Sequence, residues 1–401
     1  MRTPEEAWAE IEPHLRTLST ESSSREEALG RVLAESVEAT VPMPQADVSA
    51  MDGYALAGSV EVSSRLPVVA TAAAGSPLEI TLKAGQAAKI MTGAVVPEGA
   101  DRVIPVEKTD AGVDEVEIQA EALLGDHIRR CGEVTRPGDA LLQPRAILGP
   151  GALSLLASHG HGTVQVYRRP RVTILTTGDE VVPPETEPGP GQLRDSNTPF
   201  LLAANRSLGI EATSLGTAPD RLEDLRAYIA RGLESDVLLL CGGVSMGDYD
   251  FVEDVLEELG CQILLERVAI QPGKPFVAAR HENGWVFGLP GNPASVMVTF
   301  WIFVRPVLRR LMGFDDRFWK GGLNAELGAD VPRNKGRDRF LHAEISFEDG
   351  RLVAMPRMPR GSHDVAAYGL GSALLRLRPH APAASAGELC EILPLSHWPA
   401  G

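Results

Sequence analysis

The chain has 401 residues, 44% of them apolar, and its 38 Lys and Arg against 54 Asp and Glu give a formal charge of -16. Such a length suits about two to four domains with a sizeable core in at least one, and the acidic balance argues against wrapping a nucleic-acid backbone. No apolar run reaches a bilayer span and the opening MRTPEEAWAEIEPHL is acidic rather than a basic leader, so a cytoplasmic protein with neither nucleic-acid nor membrane partners is expected.

In chain order, residues 3–18 carry Ala7, Trp8, Ile11 and Leu15 at helical spacing, with Pro13 bending or breaking the run. A second helix is predicted in SSREEALGRVLAESV, capped near Ser24 and apolar at Ala28, Val32 and Leu33. A third is predicted in GALSLLASHG after Gly149. None of these pieces can bury its face alone, so they are expected to pack together around an insertion. The insertion reads as β: LPVVATAAA, AAKIMTG, DRVIPVE and EVEIQ are short runs separated by turn residues.

From Arg171 to Met312, strand, loop and helix recur in one order. VTILTTGDE breaks at Gly178; DSNTPFLLAANRSLG offers Asp195, Ser196 or Asn197 as a cap; a strand is predicted over 211–215 and a helix over 221–231. DVLLLCGGVSMGDYD is an apolar strand without polar alternation, as in a parallel sheet covered on both faces. A helix over 250–259 follows, and Trp285–Leu289 delivers a last strand into PGNPAS and a long apolar helix. The economical fold is a doubly wound α/β domain, whose ligands gather where strand ends meet loops. Beyond Gly313, DG and SAG turns join alternating runs in a small all-β domain. The expected class is therefore a multidomain α/β and β protein. Its pieces are 1–40 with 136–168 (elongated and partly helical), 41–135 (inserted, β-rich), 169–315 (α/β) and 320–401 (C-terminal β).

Several short stretches carry chemistry. In VSAMDGYAL, Asp52 before Gly53 reads as a tight turn projecting a carboxylate, or as a plain hairpin. Thr92 before Gly93 is either a weak anion nest or a strand-turn-strand. Asp179 and Glu180 at a strand end can hold Mg²⁺ that keeps most of its waters, or form a solvated acidic loop. Gly242 and Gly243 permit close backbone approach; Ser245 adds a hydroxyl, and Asp248 and Asp250 add acids beside the next helix. Lys274 stands between two prolines in PGKP, and PGNP places Pro290, Gly291, Asn292 and Pro293 before a helix start suited to an anion. No GKS or GKT and no GxGxxG follows the first strand, against kinase and nicotinamide readings. Cys131, Cys241, Cys261 and Cys390 form no CxxC, and Cys241 reads as a core thiol. His159 and His161 in HGHG lack carboxylates nearby in sequence.

Taken together, VSAMDGYA, KIMTGAVVPEGAD, CGE…RPGD, TTGDE, DSN, CGGVSMGDYD, QPGKP and LPGNPAS resemble the molybdopterin molybdenumtransferase family, which includes the E domain of gephyrin and of plant molybdenum-insertion proteins. The resemblance implies an elongated homodimer with a cleft shared between subunits. It also implies insertion of molybdenum from molybdate into adenylylated molybdopterin, with release of AMP in a Mg²⁺-dependent step, and possible hand-over of substrate from a molybdopterin adenylyltransferase. By motif, it implies Asp52 and Thr92 as cleft residues, Glu180, Asp220 and Asp250 as the acids around substrate and cation, Lys274 for the anionic substrate and Ser362 as the C-terminal domain's approach. Asp220 enters through the resemblance alone. The chain departs from the pattern at Gln45, Ala46, Asp47 and Val48, which bears on the loop presenting Asp52, and at Gln271, His342 and His363. A scaffold protein that has lost the reaction and a molybdopterin adenylyltransferase are the competing readings.

Overall fold

The computed structural model describes residues 1–77, 79–243 and 252–395. The chain divides into two compact units, one of residues 1–21 with 166–401 and one of residues 22–165.

Helix α1 (Pro4–Ile11) opens with a capping box: Glu6 N–H donates to Thr3 Oγ1 and Thr3 N–H to the Glu6 carboxylate, with Pro4 at the first turn. A short 3₁₀ turn containing Pro13 ends it at Glu12–His14. Its apolar face does not join residues 24–38 and 149–158, as the sequence suggested. Ala7, Trp8, Ile11 and Leu15 are buried in the main core of the 166–401 unit.

The 22–165 unit corrects a second expectation. No helix forms over residues 24–38: the chain turns over 25–30, Gly30 takes a φ of +73°, and Val32 then bridges Ile147. Ala28, Val32 and Leu33 are still buried, but the backbone of Arg31 and Leu33 bonds across to Ala146 and Leu148. Long-range pairing has overridden local propensity. The core sheet consists of β1 (Gly53–Leu56), β2 (Arg65–Ala72), β3 (Ala87–Ile90), β4 (Arg102–Pro105) and β5 (Glu115–Glu117), in the order β4-β1-β3-β2-β5. One cluster contains Tyr54, Leu56, Ile104 and Ile118; another contains Ala55, Ala88, Ile90 and Val103, so successive residues of β1 feed different clusters. Helix α2 (Pro150–Ser158) lies where the sequence placed it.

In the other unit, β6 (Val172–Thr177), α3 (Asn197–Ser207), β7 (Ala212–Ala218), α4 (Leu222–Gly232), β8 (Val237–Cys241) and α5 (Val252–Glu258) follow the expected rhythm. Two strands without a sequence expectation come next, β9 (Gln262–Arg267) and β10 (Pro275–His281), before β11 (Gly284–Leu289). The sheet order is β7-β6-β8-β11-β10-β9. The first four strands pair in parallel, β10 is antiparallel to both its neighbours, and the sheet is therefore mixed. Every residue of β8 is buried. Val237, Leu239 and Cys241 face one cluster while Leu238 and Leu240 face another, which explains the absence of polar alternation. Helix α6 (Pro293–Thr299) runs through a π turn into α7 (Arg305–Leu311).

The C-terminal strands β12 (Leu323–Leu327), β13 (Asp338–Glu348), β14 (Arg351–Pro356), β15 (Ala373–Leu377) and β16 (Leu389–Pro394) close on themselves, because β13 pairs with both β14 and β15. The result is a small barrel around Leu327, Leu341, Ala354, Leu375 and Ile392. Asp349 and Gly350 both take positive φ between β13 and β14, the geometry a two-residue DG turn demands.

Candidate functional site

A cleft of about 630 Å³ opens at the C-terminal ends of β6, β8 and β11, where open α/β sheets collect ligands. Thr176, Thr177 and Gly178 bring β6 to its floor, Cys241, Gly242 and Gly243 bring β8, and Gly291, Asn292 and Pro293 follow β11. Glu180 and Asp220 stand on its wall. These acids lie forty positions apart, and the backbone explains their meeting: Asp179 N–H donates to the Asp220 carboxylate at 3.4 Å and Asp220 N–H to the Asp179 carboxylate at 3.3 Å. The loop after β6 is thus laced to the loop after β7.

The glycines are required by space as well as by conformation. Gly242 has a φ of +92°, and a Cβ there would sit 2.7 Å from Thr177 Oγ1; at Gly243 it would sit 2.7 Å from Val252 Cγ2. Gly291 is different, since its nearest neighbour would be Gly242 Cα at 3.9 Å, so that side of the cleft is open. Cys241 is 1% exposed and burial pushes its thiol far above the ordinary range, consistent with a core thiol and not a nucleophile.

The helix starts do not behave as the sequence suggested. At the PGNP helix, Pro293 has no N–H, Ala294 N–H donates to the Ser362 carbonyl at 3.2 Å, and Ser295 and Val296 N–H donate to the Asn292 carbonyl. At α3, Asp195 Oδ1 accepts from both Asn197 and Thr198 N–H at 3.0 Å. Both ends are satisfied from within, and the donors expected to meet an anion at PGNP are occupied. Asp195 therefore caps α3 itself. Asn197 shows the reverse condition: its Nδ2 donates to the Gly291 carbonyl at 2.9 Å, while its buried Oδ1 has no partner among the described residues. A buried acceptor without a donor is costly, and this one belongs to a residue that lines the cleft.

Other expected residues fall elsewhere. Pro290, Lys274 and Ser362 are absent from the lining. Lys274 is exposed, following Gly273 (φ +104°), whose missing Cβ would press on Thr299 Cγ2 at 2.7 Å. Ser362 is near the cleft through its carbonyl on Ala294. Ser245, Asp248 and Asp250 lie outside the described residues. Among the described residues no group of three or more His, Cys, Asp or Glu has the spacing of a metal site. His159 is buried with its Nε2 3.4 Å from Thr135 Oγ1, and His161 meets the Glu38 carbonyl, so both HGHG rings make contacts within their own unit.

In the 22–165 unit, Asp52 and Thr92 form a single feature. Asp52 Oδ1 accepts from Thr92 N–H at 2.6 Å and from Thr92 Oγ1 at 2.8 Å. The Thr92 backbone donor, then its hydroxyl, holds the Asp52 carboxyl below the usual aspartate range although it is exposed. The glycine after Asp52 does not make a turn. Gly53 opens β1 between β3 and β4, where a Cβ would lie 1.9 Å from the Ile104 carbonyl oxygen. Upstream, Asp47 anchors the loop by accepting from Arg130 Nη1 at 2.6 Å and Cys131 N–H at 2.8 Å. These bonds tie down the stretch where the sequence departs from the family pattern.

Comparison with known proteins decides the family. Residues 2–160 match the MoeA N-terminal region (domains I and II), 173–310 a probable molybdopterin binding domain, and 324–395 the MoeA C-terminal region (domain IV). The molybdopterin molybdenumtransferase of Haemophilus influenzae is 35% identical over 94% of both chains. The chain belongs to the molybdopterin molybdenumtransferase family. A Nostoc relative of the same name is 39% identical over 80% of this chain and 76% of its own. Among solved structures, a molybdopterin biosynthesis MoeA protein from Pyrococcus horikosii superposes with a TM-score of 0.83 at 31% identity, covering 99% of each chain. Family membership gives the cleft its context: it lies in the region matching the probable molybdopterin binding domain, with one contribution from the C-terminal region. That contribution is His363 with Val365, and sequence reading missed it. In the sequence His363 reads only as a departure from the family pattern; the signal for it is its place beside Ser362. No helix among the described residues is long and apolar enough to cross a membrane.

Proposed function

We propose that this chain inserts molybdenum from molybdate into adenylylated molybdopterin and releases AMP. The observation carrying the reading is the meeting of Glu180 and Asp220, from two loops, in the strand-end cleft. Gly291 leaves room for a ligand, and the free Asn197 Oδ1 accepts an N–H or O–H from it. The phosphoanhydride joining AMP to the molybdopterin phosphate is broken by water, which supplies the new phosphate oxygen, and molybdate supplies the metal, one oxo group leaving as water with the two dithiol protons as the sulfurs bind.

Magnesium fits the donor set. Carboxylate oxygens on adjoining loops suit a hard cation that keeps several waters and needs few protein ligands. Glu180 and Asp220 would hold it, with Asp250 added from the family motif. Bound there, it would neutralise phosphate charge. Lys274 adds a cation on the substrate's approach, and Ser362 positions the PGNP turn. The working form is a cytoplasmic homodimer, with Asp52 and Thr92 of the partner subunit completing the cleft. Substrate would arrive from an adenylyltransferase.

The test is AMP release from adenylylated molybdopterin in the presence of molybdate. Glu180→Gln and Asp220→Asn are each expected to slow it roughly 10²-fold. Wild-type rates in both variants would overturn the assignment.

A further inference from the structure

Within that reading, we infer that His363 is a substrate-binding residue, which places its imidazole against a phosphate of the nucleotide conjugate.

The cleft has acids in Glu180, Asp195 and Asp220, yet its ligand is anionic, so donors must come from somewhere. The helix-end and Gly242 sources are occupied, and Lys274 lies outside the lining. Asp195 caps α3, Ser362 and Asn292 carbonyls take the N–H groups of the PGNP helix, and Gly242 N–H donates to the Leu289 carbonyl. Arg194 reaches the lining, but its guanidinium donates to the Thr186 carbonyl at 3.1 Å and to Glu187 at 2.8 Å. His363 is the other cleft-lining side chain of a basic type among the described residues. Its ring makes no side-chain hydrogen bond among those residues, and its charge partner is the adjacent Asp364. In either charge state an imidazole presents at least one N–H.

Its loop is preorganised for this. Asp364 accepts from Arg360 N–H at 3.0 Å and from Ala367 N–H at 3.1 Å, closing the turn around it. The Ser362 carbonyl pins the same loop to Ala294. A Cβ on Gly361 would lie 2.7 Å from His363 Cε1, so the ring rests on bare backbone. A residue held in this way loses little freedom when it meets an anion.

Steady-state AMP release with adenylylated molybdopterin as the varied substrate tests the assignment in full-length His363→Ala, His363→Gln and Gly361→Ala. His363→Ala is expected to raise KM roughly tenfold with kcat within about twofold. His363→Gln, which keeps an N–H donor, recovers part of that loss. Gly361→Ala displaces the ring and raises KM in the same direction. A wild-type KM in His363→Ala overturns the inference while leaving the parent reading intact. A kcat loss without a KM change also overturns it, as does a loss tracking a lowered melting temperature. A wild-type chain that releases no AMP overturns the parent reading and this inference with it.

Discussion

The Asp52–Thr92 corner and the strand-end cleft are both acidic, but they are built by opposite means. The corner is braced by one sheet. Asp52 directly precedes a central strand, its two donors come from one residue, and Gly53 fits where the Ile104 backbone of β4 leaves no room for a Cβ. The cleft is assembled from six stretches of sequence, the ends of three strands among them, and at Gly291 it leaves space for something else. A site braced by its own sheet should fail by unfolding, whereas one made of loop ends should fail in binding.

Glycine substitution is the sharpest way to break that contrast. Gly53→Ala is expected to cost about 3 kcal/mol, because the added methyl meets the backbone of Ile104 and Pro105 in the neighbouring strand. Hydrogen exchange over β1 and β3 should report the loss. Gly291→Ala should cost under about 1 kcal/mol and act on ligand affinity, since its methyl enters the open cleft. Equal destabilisation by the two would end the distinction.

Acidification should separate the units next. His342 lies in β13 at 3% exposure, and burial pushes its pKa down to about 4. Above about pH 6.5 the ring is neutral in both folded and unfolded chains. Below that value the unfolded chain binds a proton that the folded chain refuses, so stability falls by about 1.4 kcal/mol per pH unit until about pH 4. The 22–165 unit holds Asp47, Asp52 and Asp101 with lowered carboxyl pKa values, and their contribution persists until pH falls below the ordinary carboxylate range. The barrel-bearing unit should therefore weaken first. Urea unfolding across pH, with His342→Leu flattening the slope of the wild type, checks this.

The smallest effect concerns Asp52. Thr92→Val removes the hydroxyl but keeps the larger backbone donor, so the Asp52 carboxyl should titrate somewhat higher, still below the ordinary aspartate value. Carbon-13 NMR of the side chain would detect it. No change would mean that the hydroxyl bond does not persist in solution.

Much was legible without coordinates, for reasons that individual residues make plain. VLLLC announces a strand covered on both faces, DG between β13 and β14 announces a two-residue turn, and DSN announces a helix start, with Asp195 as the residue that caps it. These signals are local: a few consecutive side chains decide them. Tertiary pairing decided the rest. Val32 and Leu33 joined a bridge instead of a helix, α1 went to the other unit, and β9 and β10 came without a clear period. The encounter of Asp52 with Thr92, the lacing of Asp179 to Asp220 and the arrival of His363 beside the PGNP turn join residues 40 or more positions apart. Local propensity says which backbone a segment prefers. It does not say which distant donors will already be occupied when the segments meet, and that accounting gave the Ala294 N–H of the PGNP helix start to the Ser362 carbonyl.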